Sequence, residues 1–416
     1  MTESGHLLIQ DLYGLSQRFL DIHHQPYQRQ ILNDFMKSRL GLLIGPRGVG
    51  KTTFLIQQLL QAADNNPLSP AVLYIPTDHF LIGQSSLYDI AESFYQMGGK
   101  VIAFDEIHQS PTWSSALKSI FDTFPQMVIM ASGSSALKTR QGTHDLSRRA
   151  VVRTMPGYSF REYLELEHQL SLPCFSLLEL LDQSVEIIHE ILKKIEGNSL
   201  KILPLFKEYL RVGYYPYYRQ FNDASLYYIT LEQNMLYTLD TDLPMIYPSL
   251  TGYSIRKMKQ LMSYIAGSVP FTANISQLKQ MMDIGDERTL KMYLYYLHDC
   301  SLIRLCMKSS SQFKKLESPE KIYLDNPNQM RALAPMNPNI GTMRELFFLS
   351  MLSYQHEVTI PLKGDFMVDQ QYIFEIGGRN KDPAQIKGLE NAFLASDDIE
   401  HGHAKKIPLW LLGFLY

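Results

Sequence analysis

The stretch that decides the fold is Arg39–Ala63, RLGLLIGPRGVGKTTFLIQQLLQAA. Leu40–Ile44 has the apolar pattern of a short buried strand, and Phe54–Ala63 has the pattern of a helix. Between them, Gly45–Thr52 matches G-x-x-x-x-G-K-[ST] in full. A strand before this pattern and a helix after it are the context in which it forms a phosphate-binding loop. The stretch therefore predicts a nucleoside-triphosphate site at a strand-to-helix turn.

The residue types in this loop suit a phosphate chain. Glycines let backbone N–H groups face the phosphates, and the following helix adds the positive end of its dipole. Lys51 supplies a charge to the β- and γ-phosphates, and the Thr52 hydroxyl ligates Mg²⁺. We therefore expect ATP and Mg²⁺ as ligands. The expected nucleotide-binding residues are Gly45, Pro46, Arg47, Gly48, Val49, Gly50, Lys51, Thr52 and Thr53.

A second segment, GGKVIAFDEIHQSPTW, supplies carboxylates. Its apolar strand pattern, Val101–Phe104, ends in Asp105 and Glu106. Such a pair at the end of a buried parallel strand lies beside the phosphate loop. Asp105 is expected to hold the hydration shell of Mg²⁺, and Glu106 to polarise the attacking water.

Polar and basic residues follow a third strand pattern, Met127–Ala131. Ser132 and Ser134 are placed to hydrogen-bond the γ-phosphate or the attacking water. Arg148 and Arg149 come one element later, where an arginine finger reaches a γ-phosphate of its own subunit or of a neighbour. A solvated basic helix end is the alternative for either arginine.

Length and composition limit the class of protein. A chain of 416 residues is too long for one core, so several domains are expected. The net charge of −3 restricts any nucleic-acid contact to a local patch. Three scattered cysteines do not form a disulfide framework, and the first residues lack a signal-peptide pattern. The apolar run 407–416 is too short to cross a bilayer. We expect a soluble cytoplasmic protein with no membrane partner.

Four segments together resemble a known family. LIGPRGVGKTT, VIAFDEIH, MASGSSA and MPGYSFREYLE are similar to segments of the AAA+-like P-loop ATPases of bacteria and archaea that carry a poorly characterised C-terminal region. Pro156–Tyr163 departs from that family's Pro-x-Ser-Phe-x-Glu-Tyr pattern by one inserted residue. FKEYLRVGYYPYY has Tyr214 and Tyr215 where the family has Gly and Phe. The resemblance implies an α/β P-loop core with a parallel sheet and ATPase activity, but no particular substrate.

The resemblance and the helical patterns predict four domains. An AAA+-like ATPase domain covers 1–165, and a helical lid that closes over the nucleotide covers 166–265. A winged-helix domain covers 266–335. A small α/β domain resembling PD-(D/E)xK restriction endonucleases covers 336–416.

The winged-helix prediction rests on two helix patterns, Ser276–Met282 and Glu287–Asp299, and two strand-like runs joined by a polar wing. In a DNA-binding arrangement the second helix enters the major groove. The residues expected to project from it are Arg288, Thr289, Lys291 and Tyr295. Double-stranded DNA is thus the expected partner of this domain, and docking of another protein is the alternative.

The nuclease-like prediction rests on an order of elements: a helix with Glu345, paired strands with Asp365 and Glu375, a helix over 383–393 and a closing strand over 406–416. Asp365 and Glu375 are expected to share a second Mg²⁺, with Glu345 adding to it.

Nucleases of this kind carry a lysine two residues after the second acid, where this chain has Gly377. Arg379 or Lys381 can replace that lysine only if the glycine turn folds back. An inactive scaffold is the alternative.

Three functions remain in competition. The first is an ATPase that couples hydrolysis to conformational change of a DNA-associated C-terminal region. The second is a signalling or scaffold NTPase that gates protein partners without nucleic acid. The third is an ATP-regulated, metal-dependent nuclease. Fold-level analogy does not decide among them, and assembly into oligomers is left open.

Overall fold

The phosphate loop follows the first strand of a five-stranded parallel sheet. The structure, a computed structural model, describes residues 3–416 except 33, 84, 140–145, 147, 268–270, 273–274, 310–317 and 335–337. The strands are β1 (Leu40–Gly45), β2 (Val72–Pro76), β3 (Val101–Asp105), β4 (Val128–Ser134) and β5 (Val151–Thr154). Their order is β2-β3-β4-β1-β5, and every pairing is parallel.

Helices accompany this sheet. They are α1 (Glu3–Ile22), α2 (Lys51–Ala62), α3 (Leu87–Gln96) and α4 (Trp113–Thr123). Strands β1, β2 and β3 are buried throughout, as expected for a parallel sheet covered on both faces. The carboxyl ends of β1, β3 and β4 therefore present the phosphate loop, Asp105 and Ser134 at one edge of the sheet.

The chain divides into two compact units. The first contains residues 1–156 and 240–250, and the second contains 157–239 and 251–416. The short segment 240–250 thus belongs to the first unit, although it falls within the predicted lid. The four predicted domains and their boundaries remain predictions.

The second unit is mainly helical up to residue 352. Its α-helices are Phe160–His168, Leu177–Asp182, Ser184–Gly197, Ile202–Glu208, Ala224–Tyr237, Gly252–Gly267, Ile275–Met281, Glu287–Asp299, Pro327–Leu333 and Ile340–Leu352. Among the described helices of the whole chain, none is long and apolar enough to span a membrane.

The segment that supports the family resemblance begins the first of these helices with a capping box. The Ser159 hydroxyl accepts from Glu162 N at 3.2 Å, and the Glu162 carboxylate accepts from Ser159 N at 3.1 Å. Buried Arg161 donates to Tyr416 O at 3.0 Å and pairs with Glu165 at 2.7 Å. The motif thus joins the start of this helix to the last residue of the chain.

A small antiparallel sheet lies in the predicted winged-helix region. Its strands are β6 (Phe271–Thr272), β7 (Ile303–Cys306) and β8 (Lys321–Leu324), in the order β6-β8-β7. Helices Ile275–Met281 and Glu287–Asp299 precede β7. Most of the predicted wing, 310–317, falls outside the described residues. The assignment as a winged helix remains a prediction.

A mixed five-stranded sheet occupies the C-terminal region. Its strands are β9 (Val358–Thr359), β10 (Phe366–Val368), β11 (Tyr372–Gly377), β12 (Ala392–Ser396) and β13 (Lys406–Pro408), in the order β13-β12-β11-β10-β9. Strand β10 is antiparallel to both of its neighbours, whereas β11, β12 and β13 run parallel.

Two secondary-structure predictions for this region are wrong. The predicted helix over 383–393 is only a 3₁₀ turn, Ala384–Ile386, followed by β12. Gly388 has φ +81° and Asn391 has φ +50°, so the backbone leaves the helical region twice. The predicted closing strand ends at Pro408 and continues as a 3₁₀ helix, Leu409–Phe414.

Candidate functional site

Backbone angles and limited space explain why glycines occupy positions 45, 48 and 50 of the phosphate loop. Gly48 has φ +88° and Gly50 has φ +97°, in the left-handed region that L side chains rarely adopt. At Gly45 the limit is space, because a Cβ there would lie 2.5 Å from the carbonyl oxygen of Met155. The loop therefore turns tightly between β1 and α2, and its backbone N–H groups remain near the start of the helix.

Lys51 lies over this turn. Its Nζ donates to the carbonyl oxygens of Gly45 at 3.0 Å and Pro46 at 3.1 Å, and the residue is only 5% exposed. A nearly buried ammonium held by two neutral carbonyls is a strong site for an anion, because neither carbonyl neutralises its charge. The loop thus concentrates positive charge where the sequence predicts phosphate.

Asp105 is the most highly hydrogen-bonded carboxylate of the first unit among those described. Its Oδ2 accepts from Thr52 Oγ1 and from Tyr74 OH, each at 2.6 Å. Its Oδ1 accepts from the Ser132 hydroxyl and, at 3.2 Å, from Glu106 N. Burial, reinforced by the Asp105 charge, raises the pKa of Tyr74 well above its usual value, so this phenol remains a donor. Asp105 is thereby fixed beside the phosphate loop.

Glu106 has an unusual backbone. Its φ is +52° and ψ is +44°, a left-handed conformation that costs a non-glycine residue roughly 1–2 kcal/mol. Thr77 Oγ1 lies 2.7 Å from Asp105 O and 2.6 Å from Glu106 O, and Ser132 Oγ lies 3.2 Å from Glu106 N. These contacts hold the turn, and the Glu106 carboxylate keeps 20% exposure. Strain of this kind is concentrated at functional sites.

A buried histidine lies behind Glu106. His108 Nδ1 is 3.4 Å from Glu106 Oε2, and His108 Nε2 is 3.4 Å from Asp242 Oδ1. The same Asp242 oxygen is 3.4 Å from Arg47 Nη2 in the phosphate loop. The His108 side chain is fully buried and that of Asp242 is 3% exposed. A line of charged and polar groups therefore runs from the loop to Glu106.

The structure brings most of the predicted residues together. Thr52, Asp105, Glu106 and Ser132 are joined by the contacts above, and Lys51 is held on the same loop by the carbonyls of Gly45 and Pro46. Ser134 ends β4 and directs its backbone N–H at His108 Nδ1, 3.4 Å away.

The two arginines predicted as finger candidates, Arg148 and Arg149, have no described contact with the phosphate loop. Arg149 forms a bidentate ion pair with Asp122 at 2.8 and 2.9 Å, and Arg148 is exposed. A finger role for either arginine remains a prediction.

The sequence reasoning missed four residues of this site: Tyr74, Thr77, His108 and Asp242. Tyr74 and Thr77 are in the apolar strand pattern AVLYIPTD (71–78), and His108 is in VIAFDEIH. Their positions at the ends of neighbouring parallel strands were the available signal. Asp242 carries no such signal, because 195 residues separate it from Arg47.

A second group of titratable side chains is found in the C-terminal sheet. The Glu375 carboxylate has no exposed surface, and Lys381 Nζ lies 2.7 Å from its Oε1. Among the described residues, Glu375 Oε2 has no hydrogen-bond partner. Asp365 Oδ2 accepts from Ile376 N at 2.7 Å, and Tyr323 OH donates to Glu345 at 2.5 Å.

The charges in this group act on one another. Burial raises the pKa of Glu345, and Asp365 raises it further, whereas Lys381 lowers it. The hydrogen bond to Glu375 raises the pKa of Lys381. Glu345, Asp365, Glu375 and Lys381 therefore form one electrostatic cluster.

Lys381 takes the space that a side chain at position 377 would need. A Cβ on Gly377 would overlap Cβ and Cγ of Lys381 and lie 2.9 Å from its Cδ. Of the two cationic residues named from the sequence, Lys381 is the one whose side chain contacts Glu375. At Arg379, the backbone carbonyl accepts a hydrogen bond from Lys406 Nζ at 2.9 Å. The Lys381 side chain thus fills the space beside Gly377 and brings an ammonium to Glu375.

The donor sets of both sites can be compared with the needs of Mg²⁺. Within the described ranges, no group of three or more His, Cys, Asp or Glu side chains is arranged to hold a metal ion. Thr52 and Asp105 offer one hydroxyl and one carboxylate, which suits an ion that keeps several waters and shares phosphate oxygens. Asp365 and Glu375 offer two carboxylates. Either pair fits Mg²⁺ only together with a phosphate-bearing ligand.

Comparison with known proteins agrees with the first unit's architecture. Residues 37–164 match the family model of the AAA domain. Over these residues the chain is similar to that family. The match and the five-stranded parallel sheet confirm the predicted P-loop NTPase core. Residues 203–339 match a domain of unknown function, DUF8612.

Relatives and solved structures extend the comparison. An uncharacterized protein of Methanocaldococcus jannaschii is 30% identical over 226 residues, which cover 53% of this chain and 45% of that protein. This chain therefore spans less than half of that relative's length.

A search of solved structures matches ORC1 of Aeropyrum pernix in complex with DNA, at 13% identity and a TM-score of 0.29, covering 80% of this chain and 92% of that one. AMPPCP-bound DnaA from Aquifex aeolicus has 14% identity and a TM-score of 0.25, covering 63% and 82%. Likeness at this level supports no conclusion about what this chain does.

Proposed function

We propose that this protein binds Mg-ATP on the Gly45–Thr53 loop and hydrolyses it. The observation that carries the proposal is the contact of Thr52 Oγ1 with Asp105 Oδ2 at 2.6 Å, with Glu106 next in the chain. It joins the phosphate loop to the carboxylates at the end of β3. The match of residues 37–164 to the AAA-domain family model supports this activity.

Each residue has a separate role in this proposal. Lys51 exchanges its carbonyl contacts for oxygens of the β- and γ-phosphates. Thr52 and Asp105 would hold Mg²⁺, which neutralises phosphate charge when it is bound. Glu106 keeps partial exposure, so its carboxylate is free to accept a proton from a water. The Ser132 hydroxyl fixes the positions of the Asp105 carboxylate and the Glu106 backbone N–H.

We further propose that hydrolysis changes the conformation of a C-terminal region that contacts duplex DNA through helix Glu287–Asp299. Arg288 is exposed on this helix and Lys291 is partly exposed, which supports contact with phosphates. Thr289 bonds Asp286 at the start of the helix, through its hydroxyl at 2.7 Å and its backbone N–H at 3.0 Å. The DNA contact would therefore depend on Arg288 and Lys291 more than on the other predicted residues.

The test is steady-state ATP turnover with and without duplex and single-stranded DNA. Glu106→Gln should retain ATP binding and lose turnover about 10²–10⁴-fold, and Lys51→Ala should lose binding. Turnover that survives both substitutions would contradict the ATPase proposal.

For the DNA contact, Arg288→Ala/Lys291→Ala should abolish stimulation by duplex DNA. The exposed pair Lys193→Ala/Lys201→Ala removes the same charge elsewhere and should leave stimulation intact. Turnover that is real but indifferent to DNA would favour an NTPase that gates protein partners.

A second candidate function is favoured by one observation, the contact of Lys381 Nζ with Glu375 at 2.7 Å. In this candidate, Asp365 and Glu375 would hold Mg²⁺, and Lys381 would orient the attacking water of a phosphodiester hydrolysis. Nicking of a supercoiled plasmid in Mg²⁺ or Mn²⁺ should be lost in Asp365→Ala. The swap Gly377→Lys/Lys381→Gly should retain part of it, because it returns an ammonium to the same space. Nicking that persists in Asp365→Ala would rule this candidate out.

A further inference from the structure

His108 lies between two carboxylates that belong to different parts of the first unit. Glu106 Oε2 is 3.4 Å from Nδ1, and Asp242 Oδ1 is 3.4 Å from Nε2. Both distances exceed the usual hydrogen-bond range, so a small movement either tightens or opens each contact. These contacts, together with that of Asp242 and Arg47, link both residues to the site through Glu106 and Arg47.

The contacts around the ring select one tautomer of neutral His108. A carboxylate only accepts hydrogen bonds, so Asp242 favours the proton on Nε2. The backbone N–H of Ser134 is directed at Nδ1 at 3.4 Å and favours a lone pair there. The two contacts agree on a proton at Nε2. In this tautomer Nδ1 cannot donate to Glu106, and the Glu106 carboxylate is not held by the ring.

Withdrawal of Asp242 changes that balance. Nε2 then loses its neighbouring carboxylate, and Glu106 Oε2 becomes the carboxylate nearest to a ring nitrogen. The proton leaves Nε2 and is replaced on Nδ1 through solvent, with no net uptake or release. Nδ1–H then donates to Glu106, a charge-assisted bond that outweighs the contact with the neutral Ser134 N–H, and holds the carboxylate away from the attacking water.

We propose that Asp242 is a positioning residue that permits hydrolysis by fixing the tautomer of His108 and so releasing Glu106. The inference rests on the proposed ATPase function. Asp242 also meets Arg47 at 3.4 Å, so the phosphate loop and the histidine share one carboxylate oxygen. ATP binding and release of Glu106 are thereby connected through a single residue.

The place of Asp242 in the chain suits regulation. It lies in the segment 240–250 of the first unit, and residues 239 and 251 on either side belong to the second unit. Both ends of this segment are therefore covalently joined to the second unit, and these two connections are the route by which we propose that Asp242 is drawn away from His108.

The tautomer is measured directly by NMR on the full chain with ¹⁵N-labelled histidine. The His108 signals are identified by their loss in His108→Leu. In the unsubstituted protein Nε2 should carry the proton, and in Asp242→Ala it should be on Nδ1. Asp242→Asn retains the accepting oxygen, which Arg47 also contacts, and should keep the original tautomer. A proton on Nδ1 in the unsubstituted protein, or no change in Asp242→Ala, would overturn the inference whether or not the protein hydrolyses ATP.

Kinetics give the second readout. Asp242→Ala should lower kcat about tenfold or more, within the range that a general base contributes, and change ATP affinity much less. Asp240→Ala removes an exposed carboxylate two positions away and should leave kcat within about twofold. All variants are compared only if their thermal unfolding remains cooperative.

The decisive variant is Asp242→Ala/His108→Leu, which removes the donor proposed to hold Glu106. We expect it to regain several-fold of the kcat lost in Asp242→Ala. A purely structural role for Asp242 predicts the reverse, a double variant as slow as Asp242→Ala or slower. Absence of turnover in the unsubstituted protein would instead contradict the proposed function, and the NMR result would still decide the tautomer.

Discussion

The buried Glu375 carboxylate gives a quantitative prediction for Lys381→Met. The change removes the ammonium 2.7 Å from a carboxylate with no exposed surface. Breaking a buried ion pair by removing one partner costs about 3–5 kcal/mol.

We expect Lys381→Met to lower the free energy of unfolding of the second unit by about 3 kcal/mol at pH 7. This is the lower end of the range, because the Lys381 side chain is 36% exposed. Lys381→Met/Glu375→Gln should recover most of the loss at pH 7, since no buried charge remains.

Fluorescence of Trp410 reports this unfolding. It is one of the two tryptophans and is buried in the second unit, so Trp113→Phe leaves it as the only indole. Urea titrations in this background give the free energy of unfolding of each variant. The exposed Lys387→Met should change it by less than about 0.5 kcal/mol. A loss in Lys381→Met no larger than that in Lys387→Met, or no recovery in Lys381→Met/Glu375→Gln, would refute the reasoning.

Three further predictions concern packing and reactivity. Gly45→Ala places a methyl group 2.5 Å from a backbone carbonyl oxygen, so it should cost about 1–3 kcal/mol and weaken binding of a fluorescent ATP analogue. Arg161→Met removes the ion pair with Glu165 at 2.7 Å and should lower the second unit's free energy of unfolding, measured in urea, by about 3–5 kcal/mol. An unchanged free energy of unfolding would mean that the pairing does not stabilise the second unit. Burial raises the pKa of Cys306 to about 12, so a thiol reagent at pH 8 should label exposed Cys174 in the native protein and reach Cys306 only on unfolding.

The phosphate site could be predicted because its chemistry is local in the sequence. The loop residues are consecutive, and the strand and helix on either side have simple apolar patterns. Asp105 and Glu106 follow the same logic, because parallel strands bring their carboxyl ends to one edge. Asp242 reaches that edge from a distant part of the chain, and only the folded structure brings it to His108.

The C-terminal sheet shows where residue patterns mislead. The apolar spacing of 383–393 is compatible with a helix, yet Gly388 and Asn391 adopt left-handed conformations that no periodicity records. In the same region, Gly377 left the position of the expected lysine empty in the sequence. The turn returns Lys381 to that space, which depends on backbone geometry and not on spacing.

The three crossings between the units, after residues 156, 239 and 250, bear on how such a protein is inherited. Exchange of the continuous stretch 157–416 for another module would keep the phosphate loop, Glu106 and His108. It would remove Asp242, because the segment 240–250 lies within that stretch of sequence although it packs in the first unit. Recombination at the first crossing would therefore separate the proposed base from the residue proposed to release it, and a newly joined partner would have to supply an equivalent carboxylate.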